Sequence, residues 1–152
     1  MAEDKNEDIW IPDLGRNNHM NRKISMFSMI DENVKSQVTL GMDSKVSVMG
    51  KGKVSVLTKK GDRKTISDLY YVPNMKCNLL SIGKLIQKGY NLFFEDDVCT
   101  IMDIPPRNQR IAQVKMTRNK MFPLKMRADL KKWSAMETLT QETFQREAKD
   151  EN

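Results

Sequence analysis

The stretch KVSVMGKGKVSV, residues 45–56, returns valine at every second position at both of its ends, with serine, lysine or glycine between. A period of two places like side chains on one face of an extended chain, and it cannot serve the 3.6-residue repeat of a helix. This texture governs most of the chain. QVTL (37–40) precedes it, with a GMDS turn between. LTKKGDRK (57–64) reads as a hairpin turn in which Gly61 can take positive φ. KTISDLYYV (64–72) returns as a strand and stops at Pro73, which has no N–H to give a ladder. Upstream, DIWIP (8–12) is a short strand running into a turn at 13–15, and RKISMFSMIDEN (22–33) reads as a short helical or irregular connection. Downstream come YNLFFED, VCTIMD, a PPRN turn, RIAQVKM and the short KMFPL. One segment breaks the pattern. SIGKLIQKG (81–89) has Ile82, Leu85 and Ile86 at helical spacing, Ser81 as N-cap and Gly89 as stop. Short punctuated strands with one helix among them predict a mainly β domain, a small barrel or sandwich.

From about Ala128 the texture changes again. Leu130, Trp133, Met136 and Leu139 recur every three residues among Lys, Glu and Gln, which predicts a C-terminal amphipathic helix. The expected division is therefore a polar leader at 1–7, the β domain at 8–124, and a basic-to-polar helix and tail at 125–152. The 152 residues suit one compact domain with a tail. The net charge of +6 is uneven: Lys115, Arg118, Lys120, Lys125, Arg127, Lys131 and Lys132 face Asp129 alone, seven minus one. Two cysteines make no disulfide framework, so a reducing compartment is expected, cytoplasmic with the nucleus open as well. Cys77 and Cys99 read as small core residues. One histidine leaves too few ligands for a Cys/His zinc site, and neither metal nor cofactor is expected. The acidic opening MAEDKNED is unlike a secretory leader, no apolar run approaches the roughly 20 residues of a membrane span, and no membrane partner is expected.

The run from Trp10 to Leu124 resembles the protease region of copia-type retrotransposon Pol polyproteins. WIPDLGRNNHM (10–20) is similar to that family's Asp-Ser-Gly loop followed by Asn-His-Met. VTLG, MGKGKVSV, ISDLYYVPNMKCNLLSIGKLIQKGY, FFEDDVCTI and KMTRNKMFPL then follow in the family order. The resemblance implies a retropepsin-like β-barrel acting as an aspartic endopeptidase on polypeptide substrates. It implies a homodimer in which each subunit gives one catalytic Asp, because this chemistry needs two carboxylates sharing a proton. Asp13 is the implied catalytic residue, with Leu14 and Gly15 completing its loop. Gly41, Met42 and Asp43 sit at the tip of the implied flap, which would close over a bound peptide. After FPLKM the sequence diverges, and no integrase or reverse transcriptase chemistry is expected of it.

The loop departs from the family pattern in two places. Leu14 stands where a Ser or Thr hydroxyl braces the two loops across the dimer, and Arg16 stands where a small residue is expected. Arg16 adds a positive charge beside the carboxylate, which makes a shared proton harder to keep. Catalysis is therefore expected to be degenerate. Other chemistry is poorly supplied. His19 has no Ser or Cys nucleophile near it in sequence and reads as structural. Lys51 and Lys53 fit no phosphate-loop spacing and read as an exposed strand face. Leu79, Leu80, Ile82, Leu85 and Ile86 read as core or dimer interface. Two alternatives remain open: a non-catalytic barrel that dimerises or binds extended peptides, and weak nucleic-acid binding through the basic segment 115–132. Only Phe122 and Trp133 could stack on bases near that segment.

Overall fold

The computed structural model describes residues 6–130, so the expected C-terminal helix, beyond Leu130, lies outside the described residues. The chain lays down β1 (Glu7–Asp13), β2 (His19–Asn21), a 3-10 turn (Ile24–Met26), β3 (Phe27–Asp31), β4 (Ser36–Leu40), β5 (Ser44–Val48), β6 (Gly50–Leu57) and β7 (Arg63–Tyr71). There follow β8 (Asn78–Ser81), α1 (Ile82–Lys88), β9 (Asn91–Glu95), β10 (Val98–Met102), β11 (Arg110–Lys115) and β12 (Leu124–Ala128). The mainly β expectation with one short helix is met.

Six strands close on themselves in the order β12-β1-β8-β2-β7-β6, and β12 returns to β6 through Arg127↔Leu57 and Ala128↔Val56. β3 adds to β6 outside this ring. Closure matters because it removes the unpaired edges that an open sheet would offer. The strand that closes the ring runs past the boundary expected at Leu124: Lys125–Ala128 belong to the barrel, and Leu130 packs against its core. Two smaller units flank the barrel, the antiparallel hairpin β4–β5 and the sheet β11-β10-β9.

The main core joins barrel to sheet. Trp10, Val54, Val56, Leu69, Leu80 and Leu124 from the barrel meet Cys99 and Ile101 from β10. A second cluster, Met20, Val48, Val72, Met75 and Leu79, seats the β4–β5 hairpin on the barrel and takes Cys77 at its margin. Of the expected apolar set, Leu79, Leu80 and Ile82 are buried, whereas Ile86 is exposed.

Two local features depart from the sequence pattern. Ser55 alternates with the buried Val54 and Val56 and is buried as well: its Oγ lies 3.2 Å from Thr65 Oγ1 and accepts from Arg63, and its carbonyl takes the Asp129 amide. The chain leaving β12 covers that face. Gly52 is required by close approach, since a Cβ there would run into the Met29 carbonyl of the neighbouring strand. Opposite it the β6–β7 register slips between Gly52 and Val54, and Asp68 takes φ 55 to absorb the extra residue. Both ends of the helix follow expectation. Ser81 Oγ accepts the Lys84 amide at 3.2 Å, and Gly89 ends α1 at φ 105, a conformation that favours glycine.

Candidate functional site

β1 delivers Asp13 to one end of the barrel, paired in register with Ser81 at the end of β8. The chain then turns sharply. The Gly15 amide donates to Asp13 Oδ1 at 2.7 Å, the side-chain-to-backbone turn that Asp forms readily before glycine. Leu14, at the apex, is 79% exposed and touches no brace. Arg16 then folds back, placing its Nε 3.6 Å from Asp13 Oδ2. Each carboxylate oxygen thus has a partner from the next three residues.

Arg16 does a second thing that its sequence position does not announce. Its Nη1 donates to the Thr39 carbonyl at 2.7 Å, and Thr39 lies on β4, one arm of the hairpin whose tip carries Gly41, Met42 and Asp43. The tip turns through left-handed backbone at Gly41 (φ 59) and Asp43 (φ 65), with Met42 95% exposed between them. The Asp13 loop and the expected flap are therefore joined within one chain by a single guanidinium. No described residue of the tip itself is shown touching Asp13.

The floor beneath the loop is made by Ser81 and His19. Ser81 Oγ donates to the Arg16 carbonyl at 2.7 Å while accepting the Lys84 amide, so one buried hydroxyl pins the loop and caps α1. The Ser81 amide donates to His19 Nδ1 at 2.9 Å. An acceptor at Nδ1 requires the neutral ring with its proton on Nε2. Burial pushes the His19 pKa down to about 4, and the charge of Lys84 adds to that shift. His19 is thus a structural acceptor, in line with the reading from sequence. The helix cap was legible at Ser81, but its bond to Arg16, 65 residues away, left no local trace.

A second polar network secures β1 from the other side. Arg22 reaches Asp8 with Nε at 2.9 Å and Nη2 at 3.0 Å, and Asn78 Nδ2 donates to the same carboxylate at 2.9 Å. Burial works against the Asp8 charge, but the hydrogen bonds from Arg22 and Asn78 outweigh it and hold the carboxyl below its ordinary pKa. Nothing in the sequence spacing flagged this trio.

Lys51, on β6, sits 4.0 Å from Asp68 and 5.8 Å from the centre of the Tyr70 ring, a strand-face arrangement and not a phosphate cradle. The basic segment is dispersed. Lys115 ends β11, Lys120 sits in a turn, and Lys125 and Arg127 lie on β12. Among the described residues no group of three or more His, Cys, Asp or Glu is placed to hold a metal ion. No helix among them is long and apolar enough to cross a membrane.

No curated protein matches the chain. A family model does: that of the Pol polyprotein, beta-barrel domain, over residues 10–90, which takes in Asp13, the hairpin and α1. More than half of the chain lies in that match, and its barrel has the architecture the family description names, so the chain belongs to the Pol polyprotein beta-barrel domain family.

Proposed function

We propose that this barrel descends from the aspartic-endopeptidase region of a copia-type Pol polyprotein, with Asp13 in the position of the catalytic carboxylate and its loop latched so that catalysis is degenerate. The observation that carries the reading is the engagement of both Asp13 oxygens, Oδ1 by the Gly15 amide and Oδ2 by Arg16. Peptide hydrolysis of this type needs two carboxylates sharing one proton, one activating water and the other donating to the scissile carbonyl. The chain carries one such loop, so a second copy must face it across a two-fold axis. A guanidinium 3.6 Å away competes with the second carboxylate for that place. The same guanidinium ties down β4, whose hairpin would have to lift to admit a peptide.

A second reading has its own support. Leu14 and Met42 are large, apolar and almost fully exposed, on the two elements that Arg16 joins. Exposed apolar tips at one end of a barrel suit contact with a second copy or with an extended peptide, without any chemistry.

Mass in solution, measured with and without a transition-state-mimicking inhibitor of aspartic endopeptidases, tests the proposal. A dimer that the inhibitor stabilises, combined with slow Asp13-dependent peptide cleavage, is the expected result. A monomer that ignores the inhibitor at every concentration contradicts it.

A further inference from the structure

Barrel closure leaves the flanking sheet β11-β10-β9 open, with β9 at its edge. Among the described elements β9 lies against β10 and against the end of α1 that leads into it. The hairpin decides which of its backbone groups face outward. Glu95 pairs with Val98 across Asp96 and Asp97, both left-handed at φ 51 and φ 60, the tight turn that suits two adjacent strands. Residues flanking such a turn exchange both hydrogen bonds, and alternation then gives the groups of Phe93 and Asn91 to β10 as well. Leu92 and Phe94 therefore direct their N–H and C=O groups away from β10, and no described residue takes them. The side chains of this edge are apolar on both faces. Phe93 is 55% exposed, opposite Thr100, and Phe94 is 49% exposed with its ring 5.2 Å from that of Phe122. Sheet edges are normally blunted by charge, proline or a bulge, and NLFFE carries none of these before its last residue.

We infer that β9 is a docking edge for a second copy of this chain, the two β9 strands running antiparallel about a two-fold axis at Phe93. An isologous contact must complement itself, and this one does. With the axis there, Leu92 of each copy stands opposite Phe94 of the partner subunit, so the outward groups of one edge meet those of the other. Phe93 faces its own counterpart in the close, non-hydrogen-bonded kind of pair, where aromatic side chains reach one another. The two three-stranded sheets become one. Charge selects both the partner and the direction. β9 is entered past Lys88 and left through Glu95, Asp96 and Asp97, all four exposed and in no ion pair among the described residues. Antiparallel pairing sets the basic end of each copy against the acidic end of the other, whereas parallel pairing would set like against like. A five-residue edge is small, so the association is weak and reversible. It draws on no residue of the Asp13 loop or of the β4–β5 hairpin, and so stands apart from the dimer that peptide hydrolysis would need.

Sedimentation of the full chain over a range of concentrations tests the inference, with amide exchange as a second readout. A reversible dimer is expected. Phe93→Lys sets two like charges face to face and weakens it at least roughly tenfold. That loss is the same when Leu14→Lys is also present, which separates this dimer from one formed through the Asp13 loop. The amides of Leu92 and Phe94 exchange freely in dilute chain and slow as concentration rises, while that of Phe93, bonded within the sheet, is protected throughout. Under mild oxidation Phe93→Cys chains join to one another at that position. Asn91→Cys chains join to Glu95→Cys chains and not to themselves. Four results overturn the inference. The chain stays monomeric at every concentration; or it dimerises and Phe93→Lys makes no difference; or Asn91→Cys chains join to themselves, the mark of parallel pairing; or Leu92 and Phe94 are already protected in dilute chain, so that another part of the same copy covers the edge.

Discussion

The His19 imidazole is held neutral because burial strips it of water and Lys84 repels a second positive charge, while its Nδ1 is already occupied by the Ser81 amide. That has a definite consequence for stability. The folded state keeps a pKa of about 4 where the unfolded chain has the ordinary 6.5, so the unfolded chain binds the extra proton as pH falls through 6.5. Stability is complete above that value and declines between 6.5 and 4, by roughly 3 kcal/mol at the lower end. Asp8 acts in the same direction but lower. Its folded pKa is depressed, so its contribution is present above its unfolded value near 3.8 and is lost as pH falls below that. Denaturant midpoints measured from pH 7.5 to 4.5 therefore fall in the native chain, and the fall is largely absent in His19→Asn, whose amide oxygen can keep the bond to Ser81 without titrating. An unchanged slope in that variant would show that another group carries it. From the sequence His19 was legible as structural by elimination, since no nucleophile stood near it. The partner that fixes its tautomer was not legible, because it lies 62 residues away.

At the scale of elements, the clearest sequence signals were those whose chemistry is local. The cap at Ser81, the left-handed stop at Gly89, the Gly61 turn and the β4–β5 hairpin each need only a few neighbouring residues, and all stand where the pattern put them. β2 was missed because its three residues carry no periodicity; its strand character comes from pairing with β7 and β8. The burial of Ser55 leaves no trace in the alternation of β6, because its cover arrives from the far end of the chain. Ser81 shows how an element end and a site can share one atom. Its hydroxyl caps α1 and holds the Arg16 carbonyl, so Ser81→Ala removes two buried hydrogen bonds and should cost about 2 kcal/mol. Thermal unfolding checks the loss, and amide exchange at Gly15 and Arg16 should quicken more than exchange in the middle of β7. Equal quickening in both places would mean that the hydroxyl serves the helix alone.

At the scale of the whole molecule, the closed barrel sets Asp13 at one end of a Pol polyprotein beta-barrel domain. The turn from Asp13 to Gly15 was legible in the sequence, while the reading of Leu14 and Arg16 as departures from a catalytic loop belongs to the proposed descent. What the sequence concealed is that Arg16 bridges two elements at once, turning a substituted loop into a latch between Asp13 and the hairpin. Removing that latch should release both constraints together, and a serine at position 14 restores the hydroxyl that a facing loop could use. Peptide cleavage at mildly acidic pH, compared across the native chain, the double variant Leu14→Ser with Arg16→Ala, and that variant with Asp13→Asn added, tests this most directly. The double variant should cleave at least roughly tenfold faster than the native chain, the equivalent of one recovered hydrogen bond, and Asp13→Asn should abolish the gain. Efficient cleavage by the native chain, or activity that survives Asp13→Asn, would contradict the account.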